Sequence, residues 1–253
     1  MNKAAAFIHS PLSFENKFSI YPPTIKEVIE NHEFSLYYHA LTTTQEDIEE
    51  ELTKDKNFDK QLPTPFEFLL INCYNSEQFK NIVIKAFEFF VHDTVSILYE
   101  HKMLVIGKIE NIIQEATSLK DLNVITEENY FKFQNTIRIA CGSPQEKIPE
   151  PIDPDEDPRI TAIKMKARMR DRIKKKKKSS DGISLETCLV SICCMGLGIT
   201  PLDIGEMSYA AIHPLINMYQ DKEKYMIDIK SVLAGADPKK IKPKYWIRNS
   251  DKE

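Results

Sequence analysis

The first 106 residues of the chain contain no glycine; Gly107 is the first of only seven in 253 residues. Glycine takes positive φ angles without steric cost and lets phosphates approach the backbone. A glycine-free stretch of this length holds no glycine-rich nucleotide loop, and it predicts few tight β-hairpins. It predicts helices joined by loops rich in proline and Asx residues. The hydrophobic share of 42% and charged share of 28% belong to a folded chain, long enough for one large domain or two small ones.

A clear boundary lies near the middle. Five prolines fall within 144–158 among Glu150, Asp153, Asp155, Glu156 and Asp157. Residues 159–178 then hold eleven lysines or arginines against Asp171 alone, ending in Lys174, Lys175, Lys176, Lys177 and Lys178. The span reads as a charged, proline-rich linker. The expected architecture is mainly α: a helical N-terminal domain (1–143), an acidic then basic linker (144–182) and a smaller helical C-terminal domain with an extended tail (183–253).

Helix starts are legible from their caps. Thr24 with Glu27, and Thr43 with Glu46, read as capping boxes. Thr64-Pro65-Phe66-Glu67 adds proline at the first helical position. Phe66, Leu69, Leu70 and Cys73 then recur on one helix face. Ser76 opens a helix with Phe79, Ile82, Val83, Ala86, Phe87 and Phe90 as its apolar stripe. Further helices are expected over 108–117 and 127–141, the second stopped by Gly142. Residues 14–20 suggest a short strand, and 96–99 with 103–106 a small hairpin.

In the C-terminal region Ser184 caps a buried helix, and Thr200-Pro201-Leu202-Asp203 opens a short one. A long helix runs from about 208 to 233, stopped by Gly235. Its expected apolar face is Ala211, Leu215, Met218, Tyr225, Ile229 and Val232. Pro214 is expected to kink it or to mark its start, with His213 as cap. The tail 237–247 reads as extended and carries Tyr245 and Trp246, the only tryptophan.

Chemistry is hard to find in the pattern. Gly196-x-Gly198 lacks the third glycine and the Lys-Ser/Thr of a phosphate loop and reads as a helix stop. Cys188, Cys193, Cys194 and His213 lack the spacing of a zinc site. None of the six histidines stands in a recognisable nucleophile or metalloprotease context. The expectation is therefore no catalytic residue, no cofactor and no metal. Five cysteines, an odd number without Cys-x-x-Cys, read as reduced thiols in a cytosolic protein. The N-terminus lacks the apolar core of a signal peptide, and the most apolar stretch, 188–199, is too short to span a membrane. The net charge of −4 argues against bulk binding to nucleic acid or acidic membranes. The basic run keeps a phosphate-binding alternative open, although no aromatic residue interleaves it. Residue types that dominate protein interfaces single out Phe66, Phe79, Phe87, Tyr225, Tyr245 and Trp246 as candidate partner-binding side chains.

Three stretches carry a resemblance: 18–30, 64–70 and above all 196–249. The last combines the Thr200-Pro201-Leu202 helix start, Met207-Ser208-Tyr209 and a long helix rich in tyrosine and lysine. Together they resemble the tail assembly chaperone-like proteins of large tailed bacteriophages of Gram-positive hosts. The resemblance implies a non-enzymatic protein that binds the tape measure protein, aids polymerisation of the tail tube protein, acts in the host cytoplasm and is absent from the mature virion. A structural tail or baseplate component is the first alternative, and a nucleic-acid-binding accessory protein using the basic linker the second. A homo-oligomer is compatible with each.

Overall fold

The computed structural model describes residues 3–52, 62–107, 123–146, 159–160, 170 and 184–247. The expected helix at 108–117, the five lysines at 174–178 and most of the linker lie outside the described residues. Within them the fold is mainly α, with eleven α-helices and five short strands.

In the N-terminal region the order is α1 (Lys3–Phe7), β1 (Leu12–Phe14), β2 (Phe18–Ile20), α2 (Ile25–Glu30), α3 (Phe34–Thr42) and α4 (Gln45–Leu52). Then come α5 (Pro65–Asn75), α6 (Glu77–Val91), β3 (Val95–Leu98), β4 (Met103–Ile106), β5 (Val124–Ile125) and α7 (Glu127–Ala140). Local chemistry sets the starts. The Glu27 N–H donates to Thr24 Oγ1 at 3.2 Å while Glu27 Oε2 accepts from the Thr24 N–H at 2.7 Å. Thr64 and Glu67 repeat the arrangement with Pro65 at the first helical position. Ser76 caps α6 through the Phe79 N–H. At α4 the box is one residue later than expected: Thr44 pairs with Asp47, because the Asp47 carboxylate accepts from both the Thr44 N–H and hydroxyl.

Two hairpins form here without glycine in their turns: β3 with β4 is the small hairpin expected at 96–99 and 103–106, whereas the single strand expected over 14–20 is instead the hairpin of β1 and β2. β1 and β2 pair antiparallel, with Leu12 opposite Ile20 and Phe14 opposite Phe18. Their turn places Glu15 and Asn16 at φ 52° and 58°, as in a type I′ turn. β3, β4 and β5 form a three-stranded antiparallel sheet. Its first turn puts Lys102 at φ 47°. Non-glycine residues thus take the left-handed positions, at a cost that glycine would avoid.

Aromatic rings fill the main core. Phe87 and Phe133 stack at 5.3 Å, Phe14 meets Phe133 edge-on at 5.8 Å, and Phe66 packs on Tyr130 at 5.1 Å. All but Tyr130 are essentially inaccessible, and Tyr130 is 2% exposed.

The C-terminal region contains α8 (Leu185–Cys194), α9 (Pro201–Ile204), a 3₁₀ turn (Tyr209–Ala211), α10 (Ile212–Leu233) and α11 (Pro238–Ile241). Pro214 does not mark the start of α10. It is the third residue, inside the first turn, where backbone N–H groups have no intrahelical partner. The helix follows directly from the 3₁₀ turn, so His213 is not a cap. The tail is not wholly extended either, since Asp237 caps α11 by accepting from the Lys239 N–H.

This region is seated on the N-terminal one. Thr24 and Ser208 form an isolated antiparallel bridge. The Tyr209 N–H donates to Pro23 O, the Ile25 N–H to Met207 O and the Lys26 N–H to Gly205 O, each at 2.9 Å. Ser208 Oγ donates to Ala6 O at 2.7 Å. Ala210 enters the main core, and Ile25 enters a second core made by Cys188, Ile192, Ile204, Ile212 and Ile216. Gly142 makes room for this seat: a Cβ there would lie 2.8 Å from Ala210 Cα.

Candidate protein-interaction surface

The six aromatic side chains singled out in the sequence separate into two groups. Phe66 and Phe87 are buried in the main core and Phe79 packs against it half-buried, so internal packing occupies them. That corrects their reading as partner-binding residues. Helical spacing of aromatics marks a buried face, and here that face meets the chain's own helices. Tyr225, Tyr245 and Trp246 come together instead. The Tyr225 and Tyr245 rings meet edge-on at 5.5 Å, and Tyr245 lies 6.1 Å from Trp246.

The turn after α10 produces this contact. Gly235 at φ 102° ends the helix, α11 reverses the chain, and Lys242 at φ 49° directs the last residues back along α10. The tail lies as a strap against the outer half of α10. Tyr225, Ile229 and Val232 are half-buried on that half.

The inner half of α10 buries Ile212 and Ile216, with Tyr219 packed beside them. Of the expected face, Ala211 is buried and Leu215 half-buried, but Met218 is 45% exposed. Farther out, Met226 is 42% and Leu233 82% exposed. Among the described residues nine of sixteen exposed large apolar side chains lie in 184–247, including Val190, Leu197 and Leu202. These exposed apolar side chains make the C-terminal region the candidate interaction surface.

The thiols and carboxylates are arranged for packing and capping. Burial pushes the Cys73 thiol up to about 12 and raises Cys141 and Cys188, so all three stay neutral. The Lys132 ammonium, by a hydrogen bond of 3.0 Å, holds the Glu15 carboxyl below its ordinary value. The Lys102 ammonium does the same for Glu67, and the Thr200 hydroxyl for Asp203. Among the described residues no three His, Cys, Asp or Glu side chains gather to hold a metal ion. No described helix is long and apolar enough to cross a membrane.

Residues 174–251, under a third of the chain, match the family model described as YomV second domain. YomV is a protein of the Bacillus phage SPBc2. The match points to a phage-related protein. It spans the five lysines, α8, α9, α10 and the strap, and so every described residue of the second core except Ile25. No curated protein and no solved structure matches the chain.

Proposed function

We propose that this protein is a non-enzymatic assembly factor of a tailed phage, a tail assembly chaperone that holds the tape measure protein soluble while tail tube subunits assemble around it. The carrying observation is the apolar, strap-lined outer half of α10, within the segment that matches a domain of a phage protein. A chaperone of an extended helical client needs apolar surface that its own core does not use. Here Met218, Met226 and Leu233 offer such surface on a helix whose inner end is anchored. Methionine suits the task because its unbranched side chain adapts to different partners.

Co-expression with the tape measure protein of the same genome tests the reading. The chaperone role predicts that the client becomes soluble and co-purifies with this chain, and that purified particles lack the chain. Stoichiometric recovery of the chain in purified particles would instead support the structural tail component.

A further inference from the structure

The outer face of α10 has a regular spacing. Leu215, Tyr219, Lys222, Met226, Ile229 and Leu233 follow one another at steps of four, three, four, three and four residues. On a helix such steps keep all six within one narrow stripe, the seam by which helices pack side by side. At its inner end Leu215 is half-buried and Tyr219 packs on the second core; from Lys222 outward the seam runs beside the strap, with Lys222, Met226 and Leu233 exposed and Ile229 half-buried. Five of the six positions are apolar, and Lys222 is exposed at the middle.

We propose that this seam docks an amphipathic helix of another protein, one that sets a carboxylate opposite Lys222. The helical partner follows from the spacing, because a three-four repeat along the exposed outer half of a helix is the seam on which a second helix packs. The carboxylate follows from charge. A lysine at a seam position is desolvated when the seam closes, and an opposite charge offsets that cost. The surroundings add to this preference: residues 212–247 hold seven lysines against Asp221, Glu223, Asp228 and Asp237. Four of the lysines, Lys239, Lys240, Lys242 and Lys244, lie on α11 and the strap that border the seam.

A second copy of the chain is the poorer occupant in either direction. Parallel pairing sets Lys222 against Lys222. Antiparallel pairing sets Lys222 against Met226 and brings the two Glu223 side chains together at the crossing. Like charges so placed act against self-pairing and select a different partner.

This inference rests on the reading of α10 as the interaction surface and adds its selectivity. Trp246, the only tryptophan, lies on the strap beside the seam and reports occupancy by its fluorescence. The probes are two synthetic three-heptad peptides without tryptophan, with leucine seams and one central seam residue, glutamate in one and lysine in the other. The full-length protein is expected to prefer the glutamate peptide by about fivefold, as an interaction near 1 kcal/mol gives. Lys222→Glu should reverse the preference, and Met226→Glu should abolish binding of both. The proposal is overturned if neither peptide binds, if both bind equally, or if the preference ignores residue 222. It is overturned as well if the protein sediments as a dimer that Met226→Glu dissociates. Failure here with co-purification of the tape measure protein intact would refute the charge rule and leave the chaperone role standing.

Discussion

Gly142→Ala tests how the C-terminal region is seated. Gly142 and Gly196 share the same φ of 69°, so alanine meets the same backbone strain at both. That strain is about 1–2 kcal/mol, partly offset by the lower entropy that alanine gives the unfolded chain. The surroundings differ. At Gly196 an added Cβ meets nothing within 4 Å, whereas at Gly142 it lies 2.8 Å from Ala210 Cα and 2.9 Å from its carbonyl oxygen. Both obstacles are backbone, which cannot rotate aside. Relief requires the 3₁₀ turn to move and endangers the hydrogen bonds from Tyr209 to Pro23 and from Ser208 to Ala6. Overpacking of this kind adds roughly 1–3 kcal/mol. Urea denaturation should therefore show Gly196→Ala losing about 1 kcal/mol and Gly142→Ala about 2–4 kcal/mol. Hydrogen exchange should show the added loss at 23–26 and 205–212. Equal losses for the two variants, with no change in exchange at the joint, would refute the seating.

Three further outcomes follow from particular contacts. Lys102→Gly should stabilise the protein by about 0.5–1 kcal/mol in thermal melts, because glycine removes the left-handed strain while the exposed pair to Glu67 contributes little. Phe87→Ala should cost about 3–5 kcal/mol by emptying a fully buried ring site, whereas Met226→Ala should change stability by no more than about 0.5 kcal/mol. Stability followed by urea midpoints should be highest between about pH 5 and pH 9. Glu15, Glu67 and Asp203 are held below their ordinary values of 4.5, 4.5 and 3.8, so their contribution is full above those values and is lost as acid protonates them. Cys73 and Tyr37 are each raised to about 12, so the stability they lend is full below the ordinary values of 9.0 and 10.0 and declines as pH rises past them.

Helix starts were legible because a cap is a local device. Thr24, Thr64, Ser76 and Ser184 act within three residues of themselves, and each does what its sequence context predicts. Turns were less legible. The hairpin of β3 and β4 shows in its two apolar runs, whereas scarce glycine hides that of β1 and β2, where Glu15 and Asn16 accept positive φ because the strands on either side hold them there. β5 is two residues long, too short for any alternation to show. The joint between the two regions is beyond local reading, since the partners of Ala6 and Thr24 lie near residue 208. The buried side of α10 is only partly legible for the same reason: two adjoining apolar stripes run along it, and contact with α8 adds Ile212 and Ile216 to the buried set. Of the six candidate side chains, Tyr225, Tyr245 and Trp246 come together at the strap, while the phenylalanines pack in or against the main core. Of the two exposed methionines of α10, Met218 falls on the stripe expected to be buried, and Met226 lies outside that stripe.

The central claim is that partner binding resides on the outer half of α10 and not on the N-terminal body. A single pull-down against the co-expressed tape measure protein tests it, using wild type, Met226→Glu and Ile71→Glu. Ile71 is a comparably exposed apolar residue, 48% against 42% for Met226, on α5 of the N-terminal body. The account predicts that wild type and Ile71→Glu retain the client and that Met226→Glu, still folded by circular dichroism, loses it. Retention by Met226→Glu at the wild-type level would contradict the claim.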